Sequence, residues 1–400
     1  MLDVHSLRER FPALRGTGAF LDGPGGAQAP SEVIEAVAGY LRSSNANLGG
    51  AFGTSIESDA VVERARAAAA DFTGSVSEEI AFGANMTTLN FLLAHAVART
   101  LDPGDEIVVT DLDHDANISP WLLVAADHDL VVREAPIRTH DGSLDEDALE
   151  GLVGGRTRVV AFTLASNALG SIPDAGRIAA AAARAGALAW ADGVHLAPHR
   201  RLERASLGIH VLLCSPYKFF GPHLGVAAIE RGLAETLPAD RVRPASEWPP
   251  GHRFETGTQS HEAIAGTAAA VDYVRSLGDG SLDLAFERIG EHEETLSRRF
   301  LDAVPSVPGL ELYGIADPAR VSERTPTFCF NLGAWEPRRL SAELAARDIY
   351  VWDGDYYALA PMRALGIADR GAVRAGFLHY TTEEEVDRLV AALVELAAAG

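Results

Sequence analysis

Cysteine, positive charge and long apolar runs are all scarce in this chain, and each scarcity removes a class of function. Two cysteines in 400 residues, Cys214 and Cys329, make neither a disulfide framework nor a zinc site. Each stands inside an apolar, strand-like run, which suits a small buried hydrophobe in a reducing compartment. Basic residues number 34 against 56 acidic ones, for a formal net charge of −22. Such a chain repels nucleic acid and anionic membranes unless a basic patch intervenes, and the arginine-dense stretches APHRRLERA and EPRRL are too short to make one. No apolar run approaches the about 20 residues that span a bilayer. The opening MLDVHSLRERFPAL carries charges throughout and lacks the apolar core of a secretory signal. A cytoplasmic location is expected, with no nucleic-acid and no membrane partner.

Apolar residues, by contrast, make up 47% of the chain, enough for a large core, and the length suggests two or three structural domains. From about Ile80 to Glu230, short apolar runs alternate with helical patterns. DEIVVTDLD, DLVVREAPI, TRVVAFTLAS, ALAWADGVH and IHVLLCS read as strands, and PDAGRIAAAAARAG as a helix opened by Asp174 and stopped by Gly186. Repeated strand, helix, strand predicts an α/β fold with a mostly parallel sheet covered on both faces. The crevice of such a sheet lies beyond the carboxyl ends of its strands, and DLDHDAN, ASNALG, ADGVH and SPYK all follow strand candidates. A loop rich in Pro and Gly at 240–260 leads into one long helical stretch from about Glu262 to Ala303. Beyond it TPTFCFNL, IYVWDG and AVRAGFLHY read as strands and EPRRLSAELAARD as a helix. A last helix opens with TTEEE, where Thr382 and Glu385 have capping-box spacing, so the C-terminal part is expected to be a second, α+β domain.

The chemistry centres on CSPYKFFGPHLG. Its Lys218 stands between two apolar runs, where desolvation disfavours the ammonium form and makes the amine a nucleophile toward carbonyl compounds. The stretch suits equally a lysine whose stem packs while its head reaches water. If Lys218 forms a Schiff base with pyridoxal phosphate, three further groups are needed. A carboxylate must keep the pyridine nitrogen protonated, and Asp192 ends the preceding strand in WADGVH, although a turn residue before Gly193 is its plainer role. The phosphate needs N–H groups at a helix start, and FGANMTTLNFLLAHAV offers Thr87 and Thr88 there, residues that also read as a simple N-cap. A flat partner for the ring is His114 in DLDHDANISPW, which could equally be hydrogen-bonded within its loop.

Taken in order, the phosphate loop, the ring histidine, SNALG, ADGVH and SPYKFFGPHLG make the whole chain resemble a fold-type I pyridoxal phosphate enzyme of the aminotransferase class V group. The likeness is nearest to the cysteine desulfurase-like proteins. FLDGPGGAQAP, RFETGTQSHEAIAG and VRAGFLHYTTEEEVDRL resemble further landmarks of that group. The resemblance implies a large domain with a mostly parallel seven-stranded sheet covered by helices, and a smaller α+β C-terminal domain. It implies bounds of 26–270 and 271–400 for these, with residues 1–25 packing on the small domain. It makes Lys218 the residue bonded to pyridoxal 5′-phosphate and the catalytic base, Asp192 the pyridinium partner and His114 the stacking residue. Asn167 would approach the cofactor hydroxyl or the substrate carboxylate, and His195 stands where glutamine often faces the ring oxygen. Met86, Thr87 and Ser215 fall on the phosphate site, with Tyr217 in place of a usual histidine. Thr258 resembles the residue that reaches the partner subunit's phosphate, which implies a homodimer, and Arg374 the arginine that grips the α-carboxylate of a small amino-acid substrate.

The pattern breaks at WDGDYYALAPM. Cysteine desulfurases carry a mobile thiolate there, and this chain has Tyr357, with Tyr356 beside it. Trp352 stands where a second arginine is expected, so Trp352 and Tyr357 are either ordinary core aromatics or a substrate wall. Cleavage of a C–S or other β-bond on an amino acid, without a persulfide cysteine, ranks first among the expected reactions. An aminotransferase or an isopenicillin N epimerase-like epimerase ranks second. A metal-dependent hydrolase built on DLDHDAN and ADGVH, or a cofactor binder without turnover, is more remote, because no second histidine stands at ligand spacing in either motif and no metal is expected.

Overall fold

The computed structural model describes residues 2–399, so Met1 of the expected N-terminal segment and Gly400 at the end of the expected small domain lie outside the described residues. Seven strands form the central sheet: β1 (Ile80–Gly83), β2 (Glu106–Thr110), β3 (Val131–Ala135), β4 (Thr157–Thr163), β5 (Leu188–Asp192), β6 (Val211–Cys214) and β7 (Gly225–Ile229). Their spatial order is β1-β7-β6-β5-β4-β2-β3. Only β7 runs against its neighbours, and the other pairs are parallel. Both faces are apolar because both are covered. Val108, Val160, Ala191 and Leu212 face helices α1 (Gly53–Thr73), α3 (Ala175–Ala185) and α4 (His261–Ser276), while Ile107, Val159, Trp190 and Leu213 face α2 (Met86–Ala98). The start and stop of α3 are those read from sequence: Asp174 accepts from Arg177 N at 2.9 Å, and Gly186 takes the left-handed conformation at φ 70°.

A second sheet holds β8 (Leu310–Tyr313), β9 (Thr327–Leu332), β10 (Trp352–Gly354) and β11 (Ala372–Gly376), all antiparallel, in the order β8-β9-β11-β10. Its core of Phe300, Phe328, Phe330 and Phe377 is closed by α5 (Leu282–Ala303) and α6 (Glu383–Ala399) through Leu296, Val386, Leu389 and Leu393. The capping box of α6 is formed, with Thr382 N donating to Glu385 at 2.9 Å and Glu385 N donating to Thr382 Oγ1 at 3.2 Å. Glu385 also receives Arg8 at 2.9 Å, the short strand Ala19–Phe20 pairs with Ile349–Tyr350 in a separate two-stranded sheet, and Asp22 bridges to Gly376 on β11, which ties the N-terminal segment to the small sheet. Among the described residues no helix is long and apolar enough to cross a membrane.

Two sequence expectations are corrected. The stretch 262–303 is not one helix: α4 ends at Ser276 and α5 begins at Leu282, because Asp279 and Gly280 adopt left-handed backbone and Ser281 caps the new helix on Leu284 N. IYVWDG is not one strand either. Ile349–Tyr350 pairs with the N-terminal strand, whereas β10 pairs with β11.

Edge strand β1 is finished by side chains. Arg66, on α1, donates to the Ile80 carbonyl at 2.7 Å, while Glu255 accepts from Phe82 N at 2.9 Å and from Arg66 at 2.8 Å. Both side chains are buried, so each is the other's charge partner as well as a cap on strand groups that have no further strand to meet. Glu255→Ala strands the Arg66 charge and is expected to cost about 3–5 kcal/mol of stability. The midpoint of denaturant unfolding checks this, and a loss near zero would show the pair to be dispensable.

Candidate active site

The carboxyl ends of β4, β5 and β6, with the segments that follow β1 and β2, open into one cavity of about 930 Å3, whose other wall comes from β10, β11 and residues 355–357. It is lined by Met86, Thr87, His114, Asn167, Asp192, His195, Ser215, Tyr217, Lys218, Trp352, Tyr357 and Arg374, so the expected site residues converge. Thr258 is the exception: it is exposed and does not line the cavity.

Lys218 ends a 3-10 turn, Pro216–Lys218, that follows β6 directly; its N–H donates to the Ser215 carbonyl at 3.0 Å. Its Nζ donates to the Pro24 carbonyl. Burial and then the nearby Arg374 guanidinium disfavour the ammonium form, against the carboxylates of Asp192 and Asp22, and bring the amine down to about 7. Lys218 is also the only lysine of the chain, every other basic side chain except histidine being arginine. A residue count finds this directly.

Asp192, at the end of β5, is buried and accepts from Val194 N at 2.8 Å. Burial raises its carboxyl to about 6, opposed by that bond and by Lys218. His114 takes a hydrogen bond on Nδ1 from Ala116 N at 2.9 Å, and burial with the cationic Lys218 and Arg374 lowers it to about 4, which leaves a neutral ring. His195 is buried, with Nε2 within 2.9 Å of the Thr327 hydroxyl and 3.2 Å of the Thr325 hydroxyl, and desolvation holds its pKa well below the usual histidine value.

Arg374 lies on β11, buried, with no carboxylate among its hydrogen-bond partners. Its Nη1 donates to the Asn167 carbonyl at 2.7 Å, its Cζ lies 4.3 Å from the Tyr356 ring centre, and its Nε has no acceptor among the described residues. Asn167 donates to the Tyr356 carbonyl at 2.9 Å and leaves its own Oδ1 unsatisfied. Buried polar atoms without partners, lining a cavity, are what a bound carboxylate or cofactor would complete.

The residues fit pyridoxal phosphate. Asn85, not a threonine, caps α2 by accepting from Thr88 N at 2.8 Å, so Thr87 and Thr88 lie inside the first turn. The N–H groups of Met86 and Thr87 are left without an intrahelical acceptor at the positive end of that helix. Gly225 on β7 permits the approach, since a Cβ there would stand 2.3 Å from the Asn85 carbonyl carbon. Tyr217 stacks on His223, rings 4.9 Å apart. Neither cysteine lines the cavity, and burial pushes both thiols upward, Cys329 to about 12. Among the described residues no group of three or more His, Cys, Asp or Glu could hold a metal ion.

Sequence reasoning missed Pro24, whose carbonyl holds the lysine, and Asp115 and Asp355 near His114. FLDGPGG and DLDHDAN contain Pro24 and Asp115, but nothing local in either stretch says that it reaches Lys218 or the cavity rim.

The sequence pattern of the family described as aminotransferase class-V matches residues 19–389. A cysteine desulfurase of Pectobacterium carotovorum is 33% identical, over 98% of this chain and 97% of its own length. An aminotransferase-like protein, FGM3, of Gibberella zeae is 30% identical over the same shares, 98% and 97%. The apo structure of a cysteine desulfurase from Thermococcus onnurineus superimposes with a TM-score of 0.91 at 26% identity, covering 100% of this chain and 99% of that one. With a family match over most of its length and a site whose unpaired groups fit the cofactor, the chain belongs to the class-V aminotransferases and is a fold-type I, pyridoxal 5′-phosphate-dependent enzyme of cysteine desulfurase-like kind.

Proposed function

We propose that the enzyme takes an amino acid as its small-molecule substrate, removes its Cα proton and expels a β-substituent, sulfur first among these, without a protein persulfide. The observation that carries this reading is one cavity holding a lysine with its amine near about 7, a buried arginine free of carboxylate partners and no thiol. Arg374 binds the α-carboxylate through its guanidinium, with Asn167 beside it. Lys218 is the group that bonds the cofactor and the base that accepts the Cα proton, since near neutral pH a large share of it is unprotonated. Bound pyridoxal phosphate supplies the electron sink that lets Cα lose that proton. Of the residues that would hold it, Asp192 would keep the proton of the pyridine nitrogen, His114 would serve the ring as its flat partner and His195 its ring oxygen. Met86, Thr87, Ser215 and Tyr217 would hold the phosphate. With no thiol at hand, the sulfur leaves as a free thiol, and with one water the remaining atoms become pyruvate and ammonia.

The same reading makes the enzyme a homodimer in which Thr258 serves the partner subunit's phosphate site. It divides the chain into an N-terminal segment 1–25, a large domain 26–270 and a small domain 271–400. Two free, buried cysteines support a cytoplasmic location.

Three measurements follow. Purified protein is expected to be yellow, Lys218→Ala colourless, and borohydride reduction to fix the cofactor on the single lysine in a peptide mass spectrum. Because the free amine is the reactive form, capture of pyridoxal phosphate by apo-protein should quicken as pH rises through about 7 and level off above it, and a pH-independent rate would contradict the lowered amine. Amino acids with good β-leaving groups should yield pyruvate and free thiol, while Arg374→Gln should weaken their binding about 30-fold or more, from the about 2–5 kcal/mol lost when a buried charge pair is broken. Amino transfer to a keto acid, or solvent-deuterium exchange at Cα without pyruvate, would replace the lyase by a transaminase or an epimerase.

A further inference from the structure

We infer that the outer part of this cavity is a subsite for the cationic end of an amino-acid side chain and excludes a carboxylate end. The inference rests on the amino-acid reading above and adds to it the class of substrate.

The inner cavity supplies the anchor. Arg374 and Asn167 line it with buried polar atoms that lack partners among the described residues, Arg374 Nε and Asn167 Oδ1, so a carboxylate and an amine group bound there complete them. Trp352 on β10 is in direct register with Arg374 on β11, so the two side chains stand on the same face of the small sheet. The indole is set down on Gly25, where even a Cβ would come within 2.2 Å of its Nε1, yet Trp352 stays 50% exposed. A side chain leaving an α-carbon anchored at Arg374 therefore has this indole beside it.

The chemistry of the rim is one-sided. Asp115 accepts from the Ser119 hydroxyl at 2.6 Å and Asp355 from Tyr357 N at 2.9 Å. Neither carboxylate is in an ion pair among the described residues, both line the cavity, and Tyr357 bridges them, its N–H donating to Asp355 and its carbonyl accepting from Asp115 N. Asp353 is the exception, being paired with Arg338 at 3.2 Å. Tyr357 is 70% exposed with its ring centre 5.6 Å from that of His114. Its carbonyl accepts from Asp115 N at 2.7 Å, which joins the two rim segments. Both Tyr356 and Tyr357 have positive φ, 58° and 55°. Two successive bulky residues in left-handed backbone are unfavourable, and the surrounding bonds hold them there with one ring under Arg374 and the other at the mouth. The lining has no cation besides Lys218 and Arg374, given that His114 and His195 are neutral. An ammonium or guanidinium end thus meets aromatic faces and two unpaired carboxylates, whereas a carboxylate end meets only like charge.

The test is a spectrophotometric titration of the holoenzyme with L-ornithine, L-norvaline and L-glutamate, which differ in the group their side chains end in and have no leaving group at Cβ. Ornithine is expected to bind about tenfold tighter than norvaline and glutamate about tenfold weaker. Asp355→Asn and Trp352→Leu should each narrow the ornithine-to-norvaline ratio. Glutamate binding as well as norvaline, or ornithine no better than norvaline, would overturn the subsite and leave the amino-acid reading intact. No response to any of the three, with the bound cofactor's absorbance retained, would overturn both.

Discussion

Two cations, Lys218 and Arg374, share one cavity with backbone carbonyls as their hydrogen-bond partners. Desolvation and mutual repulsion both act on them, and the lysine yields, since a guanidinium keeps its proton under conditions in which an amine loses it. Asp192 and Asp22 pull the other way without forming an ion pair with the lysine, so the amine is held near neutrality rather than locked in either state. The lowered amine and a guanidinium free of carboxylate partners both follow from this arrangement.

The fold brings those two groups into one cavity from two different sheets. Lys218 follows β6 in the large sheet and Arg374 lies on β11 in the small one, so the cavity is formed where the two sheets meet. The N-terminal segment is part of the same device. It pairs through Ala19–Phe20 with Ile349–Tyr350, meets the small sheet at the Asp22–Gly376 bridge and sends the Pro24 carbonyl to the lysine amine. Left-handed backbone at Phe220, Tyr356 and Tyr357 clusters around these groups. Strain of that sort persists where packing over-determines a local conformation, and here Phe220 is fully buried and Tyr356 donates to the Ala372 carbonyl.

Much of this was legible before any coordinates. Strand cores such as VVAF at 159–162 and VLLC at 211–214 are apolar at every position because both faces of the sheet are covered, and that signal is strong. Asp174, Gly186 and the Thr382–Glu385 box announce helix ends by local hydrogen-bond chemistry, and the ends fall where those residues put them. The run from α4 into α5 reads as one helix because helix propensity outweighs a short Gly-Asp-Gly turn. IYVWDG reads as one strand because a run of strand-forming residues says nothing about which sheet each half joins.

The sequence by itself determined the fold class and the order of site motifs at strand ends, and the cofactor followed from the resemblance those motifs carry in their order along the chain. These are short-range properties: periodicity, caps and the position of a polar residue after an apolar run. Only the tertiary structure decided that Pro24, 194 residues away, holds Lys218, that Arg374 is unpaired while packed on Tyr356, and that Trp352 rests on Gly25. Contacts across such separations depend on how two sheets and an N-terminal segment close on one another, and no local pattern of residues encodes that closure.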